Sequence, residues 1–184
     1  DQFFLSVNYL KKQIKNYFKN GKSLNVNINY LEEKKPLGTL GSASLIKKEI
    51  LEKKKPFIVI NGDIVANFDL KEILDFHNSK KASLTIVTRN YEIQNPYGIV
   101  ETDKLNKITS IKEKPVYNSE ILAGIYIIDH KLVSLIPNKK KFDMTDLISL
   151  ILKRKKKIFS YKIDNYWYEI GNINQYNNLL EKMS

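Results

Sequence analysis

The sequence predicts an α/β protein, a Rossmann-like three-layer sandwich with a mixed, mostly parallel sheet and a small antiparallel subsheet. Three observations carry that expectation. Short apolar runs alternate with stretches of helical period through the first 80 residues, the pattern of a parallel sheet with crossover helices. Pro56-Phe57-Ile58-Val59-Ile60 is continuously apolar, as expected for a strand covered on both faces. Beyond Ala82 the alternation breaks into strands separated by short loops, which points to antiparallel pairing or a subsheet laid against the main one.

The elements follow in order. Gln2–Val7 reads as a strand, and Asn8 is placed to cap a helix carrying Leu10, Ile14, Tyr17 and Phe18 on one face before Gly21 stops it. Val26, Ile28 and Tyr30 alternate with Asn25, Asn27 and Asn29, the period of a strand. A loop over Glu32–Leu40 contains Pro36 and Gly38, Gly41 follows it, and a helix is expected from Ser42 to Glu52. Asp69-Leu70-Lys71-Glu72 has cap spacing and opens a helix through Ile73, Leu74 and His77. Strands are expected over Ala82–Thr88, Ile99–Thr102, Ile108–Lys112 and Ile121–Ile128. Asp143-Met144-Thr145-Asp146 opens a further helix, Lys157–Ile163 and Tyr166–Ile170 are extended, and Ile173–Lys182 is helical. No repeat or low-complexity linker divides the chain, so residues 1–184 are read as one domain.

Composition narrows the function classes. The chain has no Cys, which excludes disulfides, thiolate metal sites and a cysteine nucleophile, and only two His. Its net charge of +11 comes from 31 basic and 20 acidic side chains, but 29 of the 31 are Lys and only Arg89 and Arg154 are Arg. Bidentate reading of bases and phosphates favours Arg, so nucleic acid is not the expected partner. The run Lys153-Arg154-Lys155-Lys156-Lys157 follows an apolar helix and complements its dipole. No apolar run approaches a membrane span, and no signal peptide is recognisable, so the expected setting is cytoplasmic.

Five segments have residue types suited to chemistry. Pro36-Leu37-Gly38-Thr39-Leu40-Gly41 is a glycine-bearing loop entering a helix, where backbone amides attract anions or base edges; it lacks the Gly-Lys-Ser/Thr ending of a P-loop. Asn61-Gly62-Asp63 follows a buried strand, at the carboxyl end where open α/β sheets bind ligands, and an Asp there suits Mg²⁺. Glu113-Lys114-Pro115 offers an acceptor for sugar hydroxyls and a cation for phosphate. Gly124, inside Ala123-Gly124-Ile125-Tyr126, marks a close approach to a strand backbone. Trp167-Tyr168-Glu169-Ile170-Gly171 holds the only Trp and a strand carboxylate suited to metal, or to a plain edge position.

In this order, and with Tyr97-Gly98 between the second and third, these segments resemble the sugar-phosphate nucleotidyltransferases, the family of mannose-1-phosphate guanylyltransferase and glucose-1-phosphate nucleotidylyltransferases. The resemblance implies nucleotidyl transfer from a nucleoside triphosphate to a sugar 1-phosphate, giving a nucleotide sugar and pyrophosphate. It implies nucleotide-binding positions at Gly38, Thr39, Gly41 and Gly62, and Mg²⁺ ligands at Asp63 and Glu169. Tyr97, Gly98, Glu113, Lys114 and Gly124 would hold the sugar phosphate, with Asp63 and Lys114 catalytic. GTP with mannose- or glucosamine-1-phosphate is slightly favoured. Two departures stand out: Glu169 replaces the usual Asp, and the family's N-terminal strand and Gly-rich triphosphate loop have no counterpart. The chain is therefore expected to be N-terminally truncated relative to the family, with little turnover by itself and an exposed sheet edge that favours a homo-oligomer. The alternatives are a non-catalytic nucleotide-sugar sensor or assembly subunit and, further off, an Asp-x-Asp glycosyltransferase, disfavoured because Ile64-Val65 follows Asp63.

Overall fold

A computed structural model describes residues 2–46 and 54–183. Its central sheet has four strands in the order β3 (Phe57–Ile60), β8 (Val116–Ile128), β5 (Leu84–Gln94) and β9 (Ile158–Lys162). β8 is antiparallel to both β3 and β5, and β9 is parallel to β5. Three of the four strands thus run one way with β8 reversed, as the mixed, mostly parallel expectation requires.

Side-chain alternation along these strands produces three layers. Leu84, Ile86, Tyr126 and Ile128 point to one face, where Leu132 and helix α3 (Met144–Lys153, through Met144, Leu147 and Ile151) cover them. Val87, Ile125 and Ile127 point to the other, against Ile73 of helix α2 (Leu70–Ser79) and Ile163. α2 starts where the sequence places it: the Asp69 carboxylate accepts the Lys71 and Glu72 amides. α3 starts with a reciprocal capping box between Asp143 and Asp146.

Smaller pieces attach to this core. β1 (Gln2–Val7) and β2 (Asn27–Glu32) form a separate parallel pair. Between them lies α1 (Lys11–Phe18), which buries none of its residues; Tyr17 is 80% exposed. Asn8 does not cap it. The N-cap is Leu10 in the left-handed region (φ 53°), and the Asn8 side chain donates to the Glu33 carbonyl instead. Lys11 and Lys15 both reach Glu32, tying α1 to the end of β2. On its side away from β8, β3 has no strand partner among the described residues, and Ile58 and Ile60 are exposed there. The helix expected over Ser42–Glu52 begins as a short 3-10 turn, Gly41–Leu45, and its second half lies outside the described residues.

Past the core, β5 and β8 continue as a two-stranded ribbon from Arg89↔Ile121 to Gln94↔Val116. β6 (Ile99–Thr102) and β7 (Ile108–Lys112) make a hairpin beyond it, the expected antiparallel subsheet. β4 (Ile64–Ala66) and β10 (Trp167–Glu169) form another antiparallel pair, and α4 (Ile173–Met183) follows. Among the described residues no helix is long and apolar enough to cross a membrane.

Candidate active site

The site is organised by an irregularity in β8. Ile86 pairs with Tyr126 and Thr88 with Leu122, so three residues, Ala123 to Ile125, stand opposite Val87 alone. Gly124 sits in this bulge with φ +74°, a conformation that glycine adopts without strain. Its carbonyl accepts the Asn61 amide, which joins the end of β3 to β8. A Cβ at Gly124 would lie 3.0 Å from Ile64 Cγ1 and 3.1 Å from Asn61 Nδ2. The close approach anticipated from sequence is therefore the turn that carries Asp63.

Asp63 is exposed and follows directly on that turn. The Asp63 carbonyl accepts the Ile170 amide at 2.8 Å, and Glu169 pairs with Ile64 in the β4–β10 register. Residues more than 100 positions apart are thus held one register step from each other. Directly paired residues share a face of an antiparallel ribbon, so Glu169 lies on the face that Ile64 turns toward Gly124. Among the described residues neither carboxylate has a hydrogen-bond or ion-pair partner. Gly62 faces open space: nothing lies within 4 Å of a Cβ built there.

The β4–β10 pair is fastened to the central sheet by Trp167. Its indole N–H donates to the Ala123 carbonyl at 2.8 Å, in the bulge itself. The Arg89 guanidinium from β5 lies 5.1 Å from the indole centroid, and its Nη1 donates to the Trp167 carbonyl at 3.1 Å. Sequence reading singled out Trp167 and missed Arg89. The available signal was compositional: one of only two Arg in a Lys-rich chain, standing directly after the expected strand Ala82–Thr88.

The glycine loop has a definite structural duty. Gly38 (φ +78°) has Asp143 Oδ1 only 2.3 Å from where its Cβ would be, and a Cβ at Gly41 would lie 2.6 Å from the Lys140 carbonyl. The Thr39 amide donates to Asp143 Oδ1, and its hydroxyl accepts the Met144 amide. Gly38, Thr39 and Gly41 therefore lock the loop onto the first turn of α3, with Thr39 still exposed.

Tyr97-Gly98 and Glu113-Lys114 meet at the ribbon's far end. The pairing of Ile99 with Lys112 brings Gly98 to Glu113, whose Oε2 would lie 3.0 Å from a Cβ on Gly98. Tyr97 is 74% exposed, and Lys114 adopts φ 42° with an exposed side chain. Counting six residues along β5, this cluster stands about 20 Å of strand beyond the bulge. Among the described residues no hydrogen bond or ion pair links it to Asp63 and Glu169.

The chemistry of the donor set suits a small hard cation. Two free carboxylates supply oxygen ligands only, and Mg²⁺ commonly takes one or two carboxylates and completes its shell with water and phosphate oxygens. No cluster of three or more His, Cys, Asp or Glu occurs among the described residues, so neither a closed zinc site nor an all-protein cage is on offer there.

The three-layer arrangement, with the Asp63 turn just past the carboxyl end of edge strand β3, defines an open-sheet α/β protein, a class that binds its ligands at strand ends. The profile of the nucleotidyl transferase family matches residues 1–184, and the chain belongs to that family. It is 28% identical over 172 residues to a mannose-1-phosphate guanyltransferase from Candida albicans, covering 91% of this chain and 47% of that protein. It is 30% identical over 194 residues to a UTP–glucose-1-phosphate uridylyltransferase from Synechocystis sp., covering 96% and 50%. The chain thus spans about half the length of these relatives. Among solved structures the fold is similar to HddC from Yersinia pseudotuberculosis (TM-score 0.68, 24% identity), over 100% of this chain and 79% of that one.

Proposed function

We propose that this chain carries the metal and sugar-phosphate half of a nucleotidyl-transfer centre. In the reaction, an oxygen of a sugar 1-phosphate attacks the α-phosphorus of a nucleoside triphosphate. The bond between the α-phosphorus and its bridging oxygen breaks, and pyrophosphate leaves. The observation that supports this reading is the β4–β10 pairing, which brings the backbone at Asp63 within one register step of Glu169. The family and the curated relatives support it.

Asp63 and Glu169 would hold Mg²⁺, which when bound neutralises phosphate charge as it builds up on the leaving group. The chain's own residues do the rest by placement. Gly62 leaves the backbone open for a phosphate to approach, and Gly38, Thr39 and Gly41 present their loop to the nucleoside while anchored to α3. Glu113, beside Gly98 and Tyr97, would accept sugar hydroxyls, and the Lys114 ammonium would neutralise the sugar phosphate. No protein nucleophile is needed, because alignment and charge cancellation lower the barrier. Similarity to guanyltransferases favours GTP and mannose 1-phosphate.

The test is a coupled pyrophosphate-release assay on the 184-residue chain and on an N-terminally extended one, with calorimetry of GDP-mannose with and without Mg²⁺. We expect little turnover from the short chain, Mg²⁺-dependent binding, and at least 100-fold loss of turnover in the extended chain on Asp63→Asn, the scale of removing one electrostatic contributor. Binding indifferent to both Mg²⁺ and Asp63→Asn would overturn the reading. Mg²⁺-dependent binding with no turnover in either chain would point to a nucleotide-sugar sensor instead.

A further inference from the structure

β4 and β10 are three residues each and form their own two-stranded sheet. A ribbon that short is marginal alone, so something outside it must hold its carboxylate in place. Ile64, Ala66 and Trp167 pack against the core face that contains Val87 and Ile125, which supplies adhesion without fixing direction. The directional bonds are few. Trp167 donates to the Ala123 carbonyl, Asn67 donates to the Tyr166 carbonyl, and Arg89 donates to the Trp167 carbonyl.

Arg89 does three things at once. Its Nε donates to the Asn90 carbonyl at 3.1 Å, its Nη1 donates to the Trp167 carbonyl, and its central carbon lies 5.1 Å from the indole centroid. A rigid fork can bond through two nitrogens while its delocalised charge sits over an aromatic ring; an ammonium is a point charge that gives up one for the other. That explains an Arg at this half-buried strand position in a chain with 29 Lys. Trp167 lies two residues before Glu169, on the same face of β10, so what orients the indole orients the strand segment bearing the carboxylate.

We propose that Arg89 is a positioning residue: through Trp167 it holds β10 in register with β4 and so keeps Glu169 beside Asp63. The assignment rests on the reading of those two carboxylates as the metal pair. Arg89 itself touches neither of them, and its effect passes entirely through strand geometry.

Two measurements on the full 184-residue chain test it. The first is hydrogen exchange at the Ile170 amide, whose acceptor is the Asp63 carbonyl. Arg89→Lys should speed exchange there at least tenfold while leaving the amides in the middle of α2 within twofold. The second is Mg²⁺ affinity by calorimetry, followed in parallel by the fluorescence of Trp167, the sole indole. Arg89→Lys should weaken Mg²⁺ binding at least fivefold. Ile151→Val, which thins the core on the opposite face of the sheet from this strand pair, serves as the control for general destabilisation and should leave Mg²⁺ affinity within twofold. Unchanged Ile170 exchange in Arg89→Lys overturns the proposal whatever the metal does. So does an equal loss of Mg²⁺ affinity in Ile151→Val. If the unsubstituted chain binds no Mg²⁺ while Ile170 exchange still responds to Arg89, the register role stands and the metal-pair reading is what fails.

Discussion

Gly124 concentrates the demands that the site makes on single residues. Its positive φ disfavours any L side chain, and the two atoms nearest a new Cβ belong to the side chains of Ile64 and Asn61. Neither can withdraw freely: Ile64, the first residue of β4, packs against the core, and the Asn61 backbone is held by its N–H bond to the Gly124 carbonyl. Gly124→Ala should therefore destabilise the protein by about 1–3 kcal/mol, the cost of a strained backbone position combined with overpacking. Urea denaturation measures it. Gly62→Ala is the matched comparison: with nothing within 4 Å of the new Cβ, it should change stability far less. Equal effects at the two glycines would show that the bulge is not under the steric constraint described here.

At the scale of elements, the sequence was legible wherever local chemistry decides the outcome. Asp69 and Asp143 cap their helices because a carboxylate, a spacing of three and an apolar stripe are all local information. β3 was legible as a strand from its continuous apolar run, but the expectation that both its faces are covered does not hold among the described residues: Phe57 and Val59 pack on the core while Ile58 and Ile60 are exposed. α1 was not. Its apolar residues promised a buried face, yet no described neighbour buries it, and the chain enters the helix through a left-handed Leu10 that no sequence rule anticipates. β5 and β8 run on to Gln94 and back to Val116, well beyond the expected ends at Thr88 and Ile121. That ribbon lies outside the core: Tyr91, Ile93 and Tyr117 share one half-exposed face, and the polar Asn90, Glu92 and Asn118 share the other. Cross-strand partners stabilise it, and partners are invisible in a linear reading. The candidate site shows the same division. Motif order pointed to Asp63 and Glu169, while the register that joins them, and Arg89 behind it, is tertiary.

The glycine loop shows an element whose residues have a second duty. Thr39 was singled out as a nucleotide contact, and the structure uses its hydroxyl as the acceptor for the Met144 amide in the first turn of α3. Thr39→Ala leaves that amide without its acceptor and should cost about 1 kcal/mol, as for the loss of a helix cap. Thr39→Ser retains the oxygen and should restore most of it. If Thr39→Ala weakened nucleotide binding with no fall in thermal midpoint, the hydroxyl would be a ligand group rather than a brace.

At the scale of the whole molecule, the response to acid separates into two windows. His77 is 4% exposed, with its Nδ1 2.9 Å from the hydroxyl of the fully buried Thr85. Burial pushes its pKa below the ordinary 6.5; Asp129 opposes that shift but does not overcome it. Lys81, Lys131 and Lys156 line the same cavity and add no incentive to protonate. The folded state therefore binds fewer protons than the unfolded chain between the lowered pKa and about 6.5, so unfolding free energy rises with pH across that interval. Read downward, stability is lost as pH falls below about 6.5, at no more than about 1.4 kcal/mol per pH unit for one group. Glu32 acts in a lower window: Lys15 and Lys11 hold its carboxyl below the ordinary value of 4.5, so its contribution is present above that value and disappears as it protonates. Urea midpoints from pH 7.5 down to 5 should fall for the parent chain and for His130→Gln, and stay nearly level for His77→Gln. Below pH 4.5 all three should fall together. A slope between pH 6.5 and 5 that survives His77→Gln would mean that another group, not this buried imidazole, sets the first acid transition.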